Sequence, residues 1–215
     1  RIVVATDSGF TSYVGGYQDR SVGGVGVLVT GLTQTTTYYF RTRTEATGCT
    51  SLNSTTVTVV TAAGTPWVAL ADSGTQVAAG NVAAASTNNT IYKFQLTVTN
   101  SGATLTGVSF STAGSHAESD IANYKIYYST DGTLVPGSDT LLGTISTGLG
   151  GGAHSLSSLS QSLPVNTPNH IFISVDLSST AEAAKTINVQ AITTSDLTYS
   201  SANETGSTTA GGAQT

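Results

Sequence analysis

Apolar and polar residues alternate with a period of two along almost the whole chain, and this restricts the fold more than any other feature. In the clearest stretch Tyr92, Phe94, Leu96 and Val98 alternate with Ile91, Lys93, Gln95 and Thr97. Asn100-Ser101-Gly102 then leads into Leu105, Val108 and Phe110. Successive side chains of a strand point to opposite faces, so such a run buries one face of a sheet, and a Gly-containing turn between two runs marks a hairpin. No segment of ten or more residues carries helical spacing. The expected fold class is therefore all-β. Strands are expected at 1–6, 26–30, 37–45 and 55–61, and again at 124–129, 140–146, 154–159, 170–177, 186–192 and 197–200, with a single helical turn at 180–185.

Composition narrows the class further. Only 9% of the 215 residues are charged, against about a quarter in an average soluble protein, while Ser and Thr supply about three residues in ten. Solubility thus rests on hydroxyls and on 24 Gly, and the Thr, Val, Ile and Tyr content suits strands. Disordered chains combine low hydrophobicity with high charge, which is the opposite balance. A net charge of −5 with no cluster of Lys or Arg excludes the electrostatic footprint of a nucleic-acid binder. The single Cys49 cannot form an internal disulfide. No run approaches the roughly 20 apolar residues of a membrane-spanning helix.

Ala62-Ala63-Gly64-Thr65-Pro66 is a small, uncharged joint. It sets the expected boundaries: a first domain over 1–62, a linker over 63–66, and a larger β-sandwich over 67–215 built from roughly eight to ten short strands. In the first domain, Gly31-Leu32-Thr33-Gln34-Thr35-Thr36-Thr37-Tyr38 places a Leu six residues before a Tyr. That spacing is the mark of a tyrosine corner, in which the Tyr hydroxyl bonds backbone a few residues upstream. Leu32 packs beneath the ring and Thr36 keeps the bend polar, so Leu32, Thr36 and Tyr38 are the expected structural corner.

With its flanking strands this segment resembles the second half of a fibronectin type III module, whose usual pattern is Gly-Leu-x-Pro-x-Thr-x-Tyr; Gln34 stands where Pro is commoner. Residues 1–10 look like the third strand of such a module. The resemblance implies two immunoglobulin-like sandwiches in tandem, the first incomplete, with the chain starting inside a domain. A sheet lacking its first two strands would leave Ile2, Val3, Val27, Val29, Tyr39 and Val57 partly wet and its edges ready for a partner. Three explanations remain open: a fragment of a longer polypeptide, strands supplied by a neighbouring copy, or a smaller sandwich in its own right. The polar tail over 203–215 is a candidate added strand, though short and weakly apolar.

The second domain resembles a β-sandwich module of large secreted Bacteroidetes proteins, through Leu105-Thr106-Gly107-Val108-Ser109-Phe110, Ser119-Asp120-Ile121-Ala122-Asn123-Tyr124-Lys125-Ile126-Tyr127-Tyr128, Leu159-Ser160-Gln161-Ser162-Leu163 and the tail 208–215. The resemblance implies an extracellular or cell-surface location and a repeat-like role, without a specific chemistry. It also implies that Asp139-Thr140-Leu141 resembles an O-linked sugar acceptor, with Thr140 as the modified residue. Asn53, Asn88 and Asn203 begin Asn-x-Ser/Thr triplets, which matter only in a eukaryotic secretory route.

Chemistry-bearing patterns are sparse. No Gly-x-Ser-x-Gly elbow accompanies His116, His154 or His170, and none of the three has a partner evident in sequence. Glu118 with Asp120 is the nearest approach to a calcium loop, and it lacks further acids. The Gly148-Leu149-Gly150-Gly151-Gly152 run lacks the Lys and Ser or Thr of a phosphate cradle and reads as a flexible connection. Trp67, Tyr124, Tyr127, Tyr128 and Tyr199 are the aromatic candidates for a sugar platform. Tyr127 and Tyr128 point to opposite faces, which makes one of them core, and Trp67 is either an interdomain plug or a ligand contact. No catalytic residue, cofactor or metal is expected. The function expected is a non-enzymatic extracellular structural or adhesive protein, self-associating through strand edges into a filament, tandem array or large adhesin, with a polysaccharide or cell-surface ligand as a further candidate partner. The alternative is a noncatalytic, carbohydrate-binding accessory region of a large secreted hydrolase.

Overall fold

The computed structural model describes residues 1–215 as an all-β chain of sixteen strands and two single-turn 3-10 segments. It divides into two compact units, Arg1–Gly64 and Thr65–Thr215.

In the first unit, β1 (Ile2–Ala5), β2 (Thr37–Thr42) and β5 (Val57–Val60) form an antiparallel sheet in the order β1-β2-β5. Between β2 and β5, β3 (Glu45–Ala46) and β4 (Cys49–Thr50) make a small hairpin turned by Gly48 at φ +77°. Both faces of the three-stranded sheet carry a small core. Ile2, Val4 and Tyr38 pack with Tyr17 on one side, backed by Val27, Val29, Leu32 and Phe40. Val3 and Ala5 pack with Phe10 and Tyr39 on the other, where the Arg41 guanidinium lies 3.8 Å from the Phe10 ring centre.

Two expectations change here. Ile2 and Val3 are buried, because the segment after β1 folds back over the sheet; Val27, Val29 and Tyr39 are half-buried, and Val57 is exposed. Residues 26–30 alternate in burial as a strand would, with Val27 and Val29 inward and Leu28 outward, yet they form no ladder. Their backbone is tied by a side chain instead: the Thr30 N–H donates to the Tyr17 hydroxyl, which in turn reaches the Leu28 carbonyl.

The second unit contains β6 (Trp67–Asp72), β7 (Asn89–Thr99), β8 (Ala103–Gly114), β9 (Ile121–Ser129), β10 (Thr140–Ile145), β11 (Gly152–Leu156), β12 (Gln161–Leu163), β13 (Asn169–Leu177), β14 (Ile187–Val189), β15 (Leu197–Tyr199) and β16 (Asn203–Gly206). Six strands form one sheet, β10-β9-β13-β7-β6-β16. The long β8 is the axis of the other, with β11 and β12 along one edge and β14 and β15 along the other. Phe94, Leu96, Ile126 and Ile173 of the first sheet meet Leu105, Val108, Phe110 and Val189 of the second in one continuous core. That is the arrangement expected of two sheets whose inner faces are the apolar half of a period-two pattern.

Three sequence readings are corrected in this unit. Residues 180–185 form turns rather than a helical turn, with Ala184 at φ +61°. Tyr127 and Tyr128 are both buried, at 5% and 8% exposure, because β13 and its neighbours are covered on their outer as well as their inner face. The tail is used internally: β16 pairs in parallel with β6, and Gln214 bridges Gly80 and Ile187. Gly206 is required there. At φ +95° a Cβ would stand 2.1 Å from the Leu70 carbonyl oxygen.

Candidate functional site

The first unit leaves one strand edge open, and its surroundings hold that edge in place. β1 is covered along its outer edge by its own chain: the Val4 N–H donates to the Tyr17 carbonyl, the Val14 N–H to the Val4 carbonyl, and Ile2 bridges Arg20. β5 pairs with β2 alone. Its side chains Val57, Val59 and Val60 are 57%, 44% and 64% exposed. The sequence Thr55-Thr56-Val57-Thr58-Val59-Val60-Thr61 contains no charge and no Pro, the two devices that commonly protect an edge from pairing. It also has the β-propensity and low charge of a pairing-prone segment.

The tyrosine corner fixes the end of this strand. The Thr33 N–H donates to the Tyr38 hydroxyl at 2.7 Å, and Tyr38 is 3% exposed with Leu32 packed on its cluster. Thr61, directly after β5, accepts from the Thr36 N–H at 3.0 Å and donates to the Thr33 carbonyl at 2.6 Å. Leu32, Thr36 and Tyr38 are thus brought together, and through Thr61 they clamp β5. At the other end the Ser54 N–H donates to the Thr42 carbonyl. Tyr17, whose hydroxyl holds Thr30, is a second such tie; the Tyr38 spacing rule gives no signal for it.

The remaining sequence candidates lie in the second unit and do not converge. Trp67 opens β6, paired with Thr99 on one side and Asn203 on the other, with its side chain 44% exposed. Thr140 is the exposed first residue of β10, which is the far edge of the same sheet. Tyr124, Tyr127 and Tyr128 are buried, so Trp67 is the most exposed ring of the aromatic set. Burial pushes the Tyr124 hydroxyl up to about 12.

Glu118 and Asp120 hold loops instead of forming a ligand pair. Glu118 accepts the Gly148 and Leu149 N–H groups, so the Gly-rich run is anchored at its start. Asp120 accepts the Ala117 and Glu182 N–H groups, which hold its carboxyl below the usual range. No group of three His, Cys, Asp or Glu side chains has the proximity for a metal ion. The histidines acquire partners that sequence spacing does not announce. His170 Nδ1 lies 2.7 Å from Ser73 Oγ, 97 residues away, and His154 Nε2 lies 2.9 Å from Thr112 Oγ1. Burial lowers the pKa of both imidazoles. Ser73 is 4% exposed and no carboxylate hydrogen-bonds His170, so the pair is closed in and lacks an orienting acid.

No protein-family model matches the chain, and no curated protein matches it significantly.

Proposed function

We propose that the protein is an extracellular structural or adhesive module, a subunit or repeat of a surface filament or large adhesin, that joins neighbouring units by strand addition. The observation that carries this reading is β5: an uncharged, half-exposed Val and Thr strand with one unpaired edge, clamped at Thr61 by the Tyr38 corner. An incoming extended segment gains main-chain hydrogen bonds along the edge and buries Val57, Val59 and Val60. The low charge and the Ser and Thr content of the chain fit a surface protein of this kind. The chain's own tail is not the donor in this reading, because β16 is already paired with β6. A head-to-tail contact of this type extends into fibres unless its rotation closes a ring.

Sedimentation velocity and negative-stain imaging of the purified protein over a concentration series test the proposal. Concentration-dependent species that disappear in a V57K/V59K variant support it. A monomer at every concentration, or association unchanged by the two lysines, rejects it.

A further inference from the structure

On the outer face of the six-stranded sheet, a lysine, an asparagine and an aspartate are arranged as reactants. Lys125 Nζ lies 3.0 Å from Asn88 Oδ1 and 2.7 Å from Asp176 Oδ2. A carbonyl carbon sits about 1.2 Å from its oxygen, so the amine is within about 4.2 Å of Asn88 Cγ. The Tyr127 hydroxyl donates to the same Oδ1 at 2.8 Å, and therefore polarises the carbonyl that the amine faces. Asp176 is fixed in turn: its Oδ1 accepts the Asn88 N–H at 2.7 Å and its Oδ2 accepts the Asn123 amide. The group is largely shielded from water, with the Lys125 and Asp176 side chains 19% and 6% exposed. Directly across the ladder from Lys125, Ser174 Oγ is buried without a hydrogen-bond partner, an acceptor that the ion pair leaves unused.

The geometry points to an intramolecular isopeptide bond between Lys125 Nζ and Asn88 Cγ, formed by the protein on itself. The pair starts as ammonium and carboxylate. A proton passes from Nζ to Asp176 Oδ2, leaving a neutral amine and a carboxylic acid. The amine lone pair forms the Nζ–Cγ bond, and the carbonyl π pair moves onto Oδ1, where the Tyr127 O–H stabilises the oxyanion. Asp176 gives its proton to Asn88 Nδ2 and takes one from Nζ. The oxyanion then collapses, the Cγ–Nδ2 bond breaks, and ammonia leaves. A primary amide and an amine become a secondary amide and ammonia, with Asp176 ending as the neutral acid. No oxidant or external reagent is required.

The bond would tie the residue preceding β7 to β9 over the intervening β13, since both strands pair with β13. It supplies the covalent brace that a chain with one Cys cannot make as a disulfide. Like a disulfide, a cross-link closing the 37-residue separation restricts the unfolded chain.

The test is intact-mass and tryptic analysis of the full chain after folding at neutral pH. The expected result is a mass lower than the sequence by one ammonia, and a branched peptide joining 44–93 to 94–185, because trypsin no longer cleaves after Lys125. A free 94–125 peptide overturns the proposal, as does a K125R variant that loses ammonia equally, since cyclisation at an asparagine would then explain the loss. D176N is expected to keep the full mass. If D176N does not fold, Y127F replaces it, with bond formation after refolding slowed about tenfold or more; an unchanged rate contradicts the arrangement.

Discussion

The two units use the same period-two alphabet with different results. In Thr65–Thr215 two sheets face each other, and Phe94, Leu96, Leu105, Ile126 and Ile173 are fully buried in one shared core. In Arg1–Gly64 a single three-stranded sheet is covered on each face by loops, which yields two small clusters and a last strand exposed at every residue. A sheet covered by another sheet hides its apolar face along its whole length. A sheet covered by loops hides only what the loops reach, and they do not reach β5. The larger unit therefore hides its apolar face more completely, and the smaller one leaves β5 exposed.

The largest effect should come from emptying the shared core. Phe94→Ala is expected to cost about 3–5 kcal/mol, read by denaturant unfolding of the full chain. Phe10→Ala, in a cluster that loops can close over, should cost clearly less. Equal losses would break the contrast between sheet-covered and loop-covered cores.

Next in size is the corner. Tyr38→Phe removes the acceptor for the Thr33 N–H and is expected to cost about 1–2 kcal/mol, confined to the first unit. Hydrogen exchange should show faster opening at 57–61 with the second unit unchanged; loss of protection in both units would show that they do not respond separately.

The smallest effect is pH dependence, and it separates the units by the pH window in which each responds. His154 and His170 have folded pKa values below 6.5 because burial disfavours the imidazolium, so as pH falls below 6.5 the unfolded chain takes up protons that the folded one refuses. The second unit should lose stability there. Glu204, raised by burial above 4.5, works in the opposite direction over a window just above that value. The first unit has no histidine. Its Asp7 is held below 3.8 by the Ser12 and Thr11 N–H groups, so that contribution is lost only in stronger acid. Thermal unfolding at pH 7 and pH 5 checks this, and an equal shift in both units would contradict it.

Local pattern carried the all-β class, the long strands β7 to β9 and the Leu32–Tyr38 spacing, because alternation and turn chemistry are properties of neighbours in sequence. It failed where partners decide. Residues 26–30 have a strand's alternation but no strand beside them, while β12 and β16 have little alternation yet form ladders with β8 and β6. The Ser73–His170 contact spans 97 residues, and Asn88 and Asp176 meet across 88. Their meeting depends on β7, β13 and β9 lying side by side, an order that no single segment encodes.

In the proposed function β5 is the edge through which neighbouring copies join. Hydrogen exchange of the 57–60 amides over a concentration series tests it most directly. Protection rising with concentration at β5, with β1 and β2 little changed, is the result expected. Exchange at β5 that stays fast and independent of concentration while larger species form would place the contact elsewhere and contradict the account.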